Sequence, residues 1–260
     1  MTHPAPPTLV VGAAGTVGQV LVAALAPTRH IIALDPRPMS FDVKNVEIVQ
    51  GSVSDQELLT DVLTSVGSVL HLATAGQSWP KLMSVEVAGS RNLFQLAVQA
   101  GVRRVVAMSS NHVVGGYERD LLLGSSDRIQ ETDLTILRPD SEYAAAKVFI
   151  EAYGRYIAET TNVGVSCVRL GTVRPIDDPA RYSDAPEFSY IPGGREARLR
   201  RLRATWLYHD DLAAMTTEEL EATESFRIRF GVSDNPGRYW PLDVCTWDSQ
   251  ALSGARFESA

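Results

Sequence analysis

Tyr143 and Lys147 stand four residues apart in the run Tyr143-Ala144-Ala145-Ala146-Lys147, which puts a phenol and an ammonium on one helix face. A free tyrosine titrates at about 10 and is a poor base near neutrality. A neighbouring ammonium stabilises the phenolate, so such a pair can take a proton from a sugar or alcohol hydroxyl. Alone, the pair reads first as an incidental feature of an amphipathic helix, because the spacing is common. A second group of polar residues, Ser109-Ser110-Asn111-His112, ends an apolar run. A hydroxyl there can hold a reacting oxygen and share its proton with Tyr143; turn chemistry and a structural histidine are the plainer readings. The Gly-x-Ser-x-Gly elbow of a serine hydrolase is absent from this segment.

Gly12, Gly15 and Gly18 are spaced three apart between the apolar run Leu9–Val11 and the helix-period segment Val17–Ala26. In a strand–turn–helix setting, the first glycine permits a sharp turn. The second lets a pyrophosphate approach the backbone, and the third permits close helix–strand packing. The helix start then offers free N–H groups and a positive dipole end to phosphates. Asp35 ends the next apolar run, where a carboxylate accepts ribose hydroxyls and repels a 2′-phosphate, favouring NAD over NADP. Arg37 softens that preference, and a turn residue before Pro36 is the competing reading of Asp35. Asp55 either meets the adenine or caps the helix beginning at Gln56.

These groups need elements to position them. Leu9–Val11, Ile31–Leu34, Val46–Val49, Val69–Leu72 and Val105–Met108 read as buried strands, and Val17–Ala26, Gln56–Leu63 and Leu82–Ala100 as helices between them. Such alternation predicts βαβ units and a parallel sheet covered on both faces. A helix over Glu142–Thr160, a strand over Val165–Leu170, a helix over His209–Thr223 and a strand over Phe226–Phe230 follow, with loop at 172–195 and an irregular tail after Gly231. The chain therefore reads as one domain over 1–260: a core over about 8–170, then capping loops and the last sheet elements over about 171–260. Its 260 residues suffice for one substantial core. The net charge of −7 argues against a nucleic-acid partner. No apolar run approaches the roughly 20 residues of a membrane span, and the start is not a signal peptide. Cys167 and Cys245 lack metal-ligand spacing, so no metal site and a reducing, cytoplasmic setting are expected.

In combination, the glycines, Asp35, Asp55, His71-Leu72-Ala73, Ser109-Ser110 and Pro139-x-Ser141-x-Tyr143-x-x-x-Lys147 resemble the extended short-chain dehydrogenase/reductases, the NAD-dependent epimerase/dehydratase family. The resemblance implies a Rossmann-type α/β fold, a doubly wound parallel sheet with a reduced C-terminal substrate-capping region. It implies NAD as cofactor, held by Gly12, Gly15, Thr16, Val17, Gly18, Asp35, Ser52, Val53, Leu72, Ala73, Tyr143 and Lys147. Ser110, Tyr143 and Lys147 would be the catalytic set. Ser109-Ser110-Asn111-His112, Arg138-Pro139-Asp140 and Thr205-Trp206-Leu207-Tyr208-His209-Asp210-Asp211 are similar to uronate dehydrogenases within that family. This closer likeness implies oxidation of the anomeric hydroxyl of a small anionic sugar, a hexuronic acid, to a lactone. Ser110, Asn111, His112 and Thr172 would bind sugar oxygens and Arg201 the carboxylate. Of the five arginines in 195–203, one or two are expected to touch substrate. A homo-oligomer is a family-level expectation.

The sequence departs from this pattern at Glu86, where the extended family carries an asparagine supporting the proton relay. Gly76 stands where a substrate-binding hydroxyl is usual, leaving Gln77 or Ser78 to substitute, and Val114 replaces a common tyrosine. Segments 117–138 and 181–199 are longer than expected, and both flank the crevice. A nucleotide-sugar epimerase or dehydratase shares the catalytic set but needs a larger C-terminal lobe. A tailoring oxidoreductase of a specialised pathway and a non-enzymatic dinucleotide sensor are also compatible with this pattern; sensors typically lose the Tyr–Lys pair that this chain keeps.

Overall fold

The computed structural model describes residues 5–74, 76, 78–125, 129 and 136–247. Its centre is an eight-stranded sheet in the order β3-β2-β1-β4-β5-β6-β7-β8. The strands are β1 (Thr8–Val11), β2 (Ile31–Asp35), β3 (Val46–Gln50), β4 (Ser68–His71), β5 (Arg104–Ser110), β6 (Gly164–Leu170), β7 (Phe226–Gly231) and β8 (Val244–Trp247). The first seven pair in parallel. β8 pairs antiparallel to β7, Phe226 opposite Trp247, within the stretch expected to be irregular.

β1, β2, β4 and β5 are buried at every position because helices cover both faces, which explains their unbroken apolar runs. The helices are α1 (Thr16–Leu25), α2 (Gln56–Leu63), α3 (Trp79–Leu82), α4 (Ser90–Gln99), α5 (Gly115–Leu122), α6 (Glu142–Thr160), α7 (Gly194–Thr205) and α8 (His209–Glu221). Leu59, Leu93, Phe94, Ile150 and Ile157 pack on one sheet face; Leu21, Val22, Leu212 and Leu220 pack on the other. The helix expected over Leu82–Ala100 is divided: a π-helical stretch, Met83–Gly89, joins α3 to α4. The stretch expected to be loop at 172–195 carries two 3₁₀ turns, Pro179–Tyr182 and Pro186–Phe188, before α7 begins.

The chain runs from β1 outward through β2 to β3, then returns to β4 on the other side of β1. This reversal opens a crevice beyond the carboxyl ends of β1 and β4, where doubly wound sheets bind ligands.

Candidate active site

The glycine turn is built as its spacing predicts. Gly12 has φ +95°, a left-handed conformation that disfavours any side chain, and a Cβ there would lie 2.8 Å from the Ala73 amide nitrogen. Gly18 lies against the turn itself; its Cβ would stand 2.6 Å from the Ala13 Cα. Gly15 leaves its side of the backbone open, with only the Gly12 oxygen within 3.4 Å. The first turn-closing bond of α1, Gln19 N–H to Gly15 O at 2.9 Å, leaves the Thr16, Val17 and Gly18 amides ahead of the ladder. The open backbone, the helix start and the abutting Leu72-Ala73 form a cradle shaped for a dinucleotide pyrophosphate.

Asp35 is buried at the tip of β2 and accepts from the Ala14 and Arg37 amides at 3.1 and 3.0 Å. The Arg37 guanidinium grips it with two bonds, of 2.9 and 3.1 Å. Burial alone would raise its pKa, but these hydrogen bonds outweigh burial and hold it below the usual carboxylate range. Asp55 caps α2, accepting from the Leu58 amide at 3.1 Å. Ser52 likewise bonds locally, to the Ser54 amide, and Val53 packs in the core under Gly89.

Beyond this cradle lies a cleft of about 450 Å³, lined by Leu72 and by eight of the residues singled out for chemistry: Ser109, Ser110, Asn111, His112, Tyr143, Lys147, Thr172 and Arg201. β5 delivers the two serines with alternating directions. Ser109 turns to the buried Glu151–Arg169 ion pair and donates to Glu151 at 2.6 Å. Ser110 caps a 3₁₀ turn, Asn111–Val114, accepting from the His112 amide at 3.2 Å. Tyr143 and Lys147 lie in the first turns of α6, whose start is capped by Ser141. The Lys147 ammonium is buried, donates to the Met108 carbonyl at 3.0 Å and stands 5.5 Å from the Tyr143 ring centre.

His112 faces Tyr143, ring centres 6.4 Å apart, and its Nδ1 lies 2.7 Å from the Asp140 carboxylate. An ionised carboxylate only accepts, so Nδ1 is the nitrogen that donates to Asp140, and Nε2 is the ring nitrogen outside that bond. Burial would raise the Asp140 pKa, but its bond to His112 prevails and lowers it. Gly115 makes the dyad possible, because a Cβ there would collide with the Asp140 carboxylate. In the sequence Asp140 stands out only as part of a motif; its partner lies 28 residues upstream.

Thr172 is held by Thr205 at 2.9 Å, and Gly171 lets β6 close on the Thr205 carbonyl. Arg201, on α7, is buried, and its charge is already engaged: Nε donates to Glu118 on α5 at 2.6 Å, and Nη1 to Thr172 at 3.3 Å. Burial would lower the Arg201 pKa, but Glu118 raises it above its ordinary value. Glu118 also accepts weakly from Asn111, at 3.5 Å. Of the other arginines in the run, Arg195 and Arg198 pair with Asp184 on the surface. Arg174 also lines the cleft, lying over the Tyr182 and Phe188 rings and 3.5 Å from Glu187.

Glu86 is fully buried in the π-helical stretch and accepts from Thr74, which lines the cleft, at 2.5 Å. Gly76 has φ +81° and open space around it; Ser78 is exposed at the start of α3, and Gln77 lies outside the described residues. Val114 is buried against Phe230 and Trp240. Among the described residues no cluster of His, Cys, Asp or Glu suits a metal ion, and no helix is long and apolar enough to cross a membrane.

The model of the NAD dependent epimerase/dehydratase family matches residues 8–174. A NAD-dependent glucose-6-phosphate dehydrogenase of Haloferax volcanii is 27% identical, the match covering 91% of this chain and 88% of that protein. An L-arabinose 1-dehydrogenase (NAD(P)(+)) of the same organism is 29% identical, covering 82% of each. The structure of a glucuronic acid dehydrogenase from Chromohalobacter salexigens superposes with a TM-score of 0.74 at 26% identity, over 92% of this chain and 80% of that one. The last likeness agrees with the resemblance carried by Ser109–His112 and Thr205–Asp211.

Proposed function

The chain belongs to the NAD-dependent epimerase/dehydratase family, and from that premise we propose that it is a sugar dehydrogenase that oxidises an anomeric hydroxyl to a lactone. The observation that carries this reading is the convergence of Ser110, Tyr143 and Lys147 on one cleft at the sheet's carboxyl edge, beside a dinucleotide cradle. The residues present fit NAD: an unobstructed Gly15 backbone, a free helix start and an ionised Asp35, which accepts ribose hydroxyls once the Arg37 guanidinium swings off it. When bound, NAD supplies the acceptor for the hydride that leaves the sugar's C1.

The Tyr143 phenolate takes the hydroxyl proton, and the Ser110 hydroxyl donates to the same oxygen, holding it in line. The Lys147 ammonium, fixed by the Met108 carbonyl, places its charge beside the phenol ring and stabilises the anion there. The His112 Nε2 accepts from a neighbouring sugar hydroxyl, because Asp140 holds the proton on Nδ1. Asn111 and Thr172 supply further polar contacts on either side.

A hexuronic acid is the substrate when Arg201 binds the sugar's carboxylate, the role implied by the uronate-dehydrogenase likeness. One specific observation favours a different sugar: Glu118 already neutralises Arg201. The test of the reaction class is common to both. Protein, NAD and a panel of uronic acids and neutral aldoses are mixed, and NADH is followed by absorbance, with Tyr143→Phe as control. NADH from at least one sugar, abolished in the variant, is expected; no NADH from any sugar overturns the reading.

A further inference from the structure

We propose that Glu118 sets substrate choice by occupying Arg201, so that the cleft selects an aldose with an uncharged group beside Arg201 and discriminates against a carboxylate. This selectivity rests on the sugar-dehydrogenase reading and specifies its substrate class.

Arg201 and Glu118 form a sequestered pair, with side chains only 4% and 7% exposed and Nε to Oε1 at 2.6 Å. The pair is net neutral, and it is local to the cleft because Arg201 forms part of the wall. Arg201 has spent Nε on Glu118 and Nη1 on Thr172; Nη2 has no partner among the described residues. With Nε held by Glu118, the side-on fork of Nε and Nη2 is taken, and a carboxylate is left only the end-on pair of Nη1 and Nη2, of which Nη1 is already shared with Thr172. The oxygen of a neutral hydroxyl needs only one of these remaining N–H groups. A substrate carboxylate would also place a second anion around one buried guanidinium, where charges are poorly screened and like-charge repulsion is large.

The other charged groups around the cleft do not offset that repulsion. Asp140 is a further anion near Tyr190, which also senses Glu118 and Arg201. Lys147 and Arg174 are the other cations of the wall; Lys147 is spent on the Met108 carbonyl beside Tyr143, and Arg174 faces Glu187 and lies over two aromatic rings. Glu118 is where it is because Gly115 and Gly116 let the start of α5 close on residues 138–140, with Gly116 N–H bonded to the Arg138 carbonyl at 2.9 Å. Glu118 itself lies in 117–138, one of the segments longer than the family resemblance leads one to expect.

The experiment compares kcat/KM with NAD for matched sugars: galactose, galacturonic acid and the methyl ester of galacturonic acid, with glucose and glucose 6-phosphate as a second series. Galactose and the ester are expected to exceed galacturonic acid by about tenfold or more, which corresponds to ~1.4 kcal/mol. The ester separates charge from size. In Glu118→Gln, which keeps the shape and an acceptor for Nε but removes the charge, turnover of galacturonic acid is expected to rise about tenfold. Galactose turnover should change by no more than about threefold. A purely structural role would lower both sugars together, and that result overturns the proposal. So does a wild-type preference for galacturonic acid or glucose 6-phosphate, a comparison that needs no variant and stands even if Glu118→Gln fails to fold. Absence of NADH from every sugar overturns the reaction class itself, and this inference with it.

Discussion

At the scale of single residues, the candidate site divides by how its groups find each other. Ser110, Tyr143 and Lys147 were legible because each sits in a short run whose backbone period fixes its direction. Both serines line the cleft, but strand alternation sends the Ser109 hydroxyl to Glu151 and leaves the Ser110 hydroxyl outside that ion pair, and helical spacing joins Tyr143 to Lys147. Glu118 and Asp140 carried no such signal as functional partners. Their partners lie 83 and 28 residues away along the chain, and only folding brings them together. Asp140 allows a sharp expectation. Its carboxylate fixes the proton on Nδ1 of His112, so Asp140→Asn removes the charge and leaves the tautomer unspecified. KM for the sugar should rise about tenfold with a smaller loss in kcat, since His112 binds and does not transfer the proton. Steady-state kinetics checks this. A fall in kcat with unchanged KM would instead place His112 in the proton transfer.

At the scale of elements, apolar periodicity located the strands and helices that bury a continuous stripe, and failed where the stripe is missing. α7 carries five arginines and buries only Leu199, Arg201, Leu202, Ala204 and Thr205, so no apolar face announces it. α5 opens on two glycines, and the short β8 follows a proline-bearing turn region. The π-helical stretch before α4 is invisible to a search for a 3.6-residue period. Packing of β4 against α4 yields a prediction that periodicity alone does not reach. His71, at the tip of β4, bonds to Ser90 on α4 at 2.7 Å, and its Nδ1 is buried without a partner. Burial, aided by the Lys147 charge, pushes its pKa down to about 3. An unfolded histidine titrates at about 6.5. Below that value the unfolded chain takes up a proton that the native state refuses, so stability falls as pH drops through the window between the two. The slope approaches ~1.4 kcal/mol per pH unit for this residue. Asp35 and Asp140, whose folded pKa values are lowered, lose stability in the same direction at lower pH. Urea midpoints between about pH 7 and 4.5 should therefore decline less steeply in His71→Asn than in the wild type. Parallel curves would show that His71 is protonated in the fold.

At the scale of the whole molecule, the reversal of strand order fixes the crevice, and the short C-terminal region closes it. After β6 the chain supplies α7, α8, β7 and β8, and it brings Thr172, Arg174 and Arg201 to the cleft wall. What the sequence did not reveal is how this cap is fastened. Asp177 accepts from the Trp206 indole and from the His209 amide at the start of α8, each at 2.8 Å. His209 in turn bonds the Arg174 carbonyl at 2.8 Å, and Asn235 bonds the Trp206 carbonyl at 2.7 Å. The loop after β6, which bears Thr172 and Arg174, is thereby tied to α8 and the segment after β7. Asp177→Ala would strand an indole N–H and a helix-start amide, at a cost of ~1–3 kcal/mol for each buried donor left unpaired, and would remove a carboxylate from the positive end of α8. Ser110, Tyr143 and Lys147 stand on β5 and α6, outside this fastening. The variant should therefore melt earlier and bind sugar more weakly while retaining most of its kcat, with Asp177→Asn intermediate because one acceptor survives. Thermal unfolding and sugar KM, measured on the same preparations, decide the matter. A kcat that falls in step with stability, at unchanged KM, would mean that cap and catalytic floor move as one body.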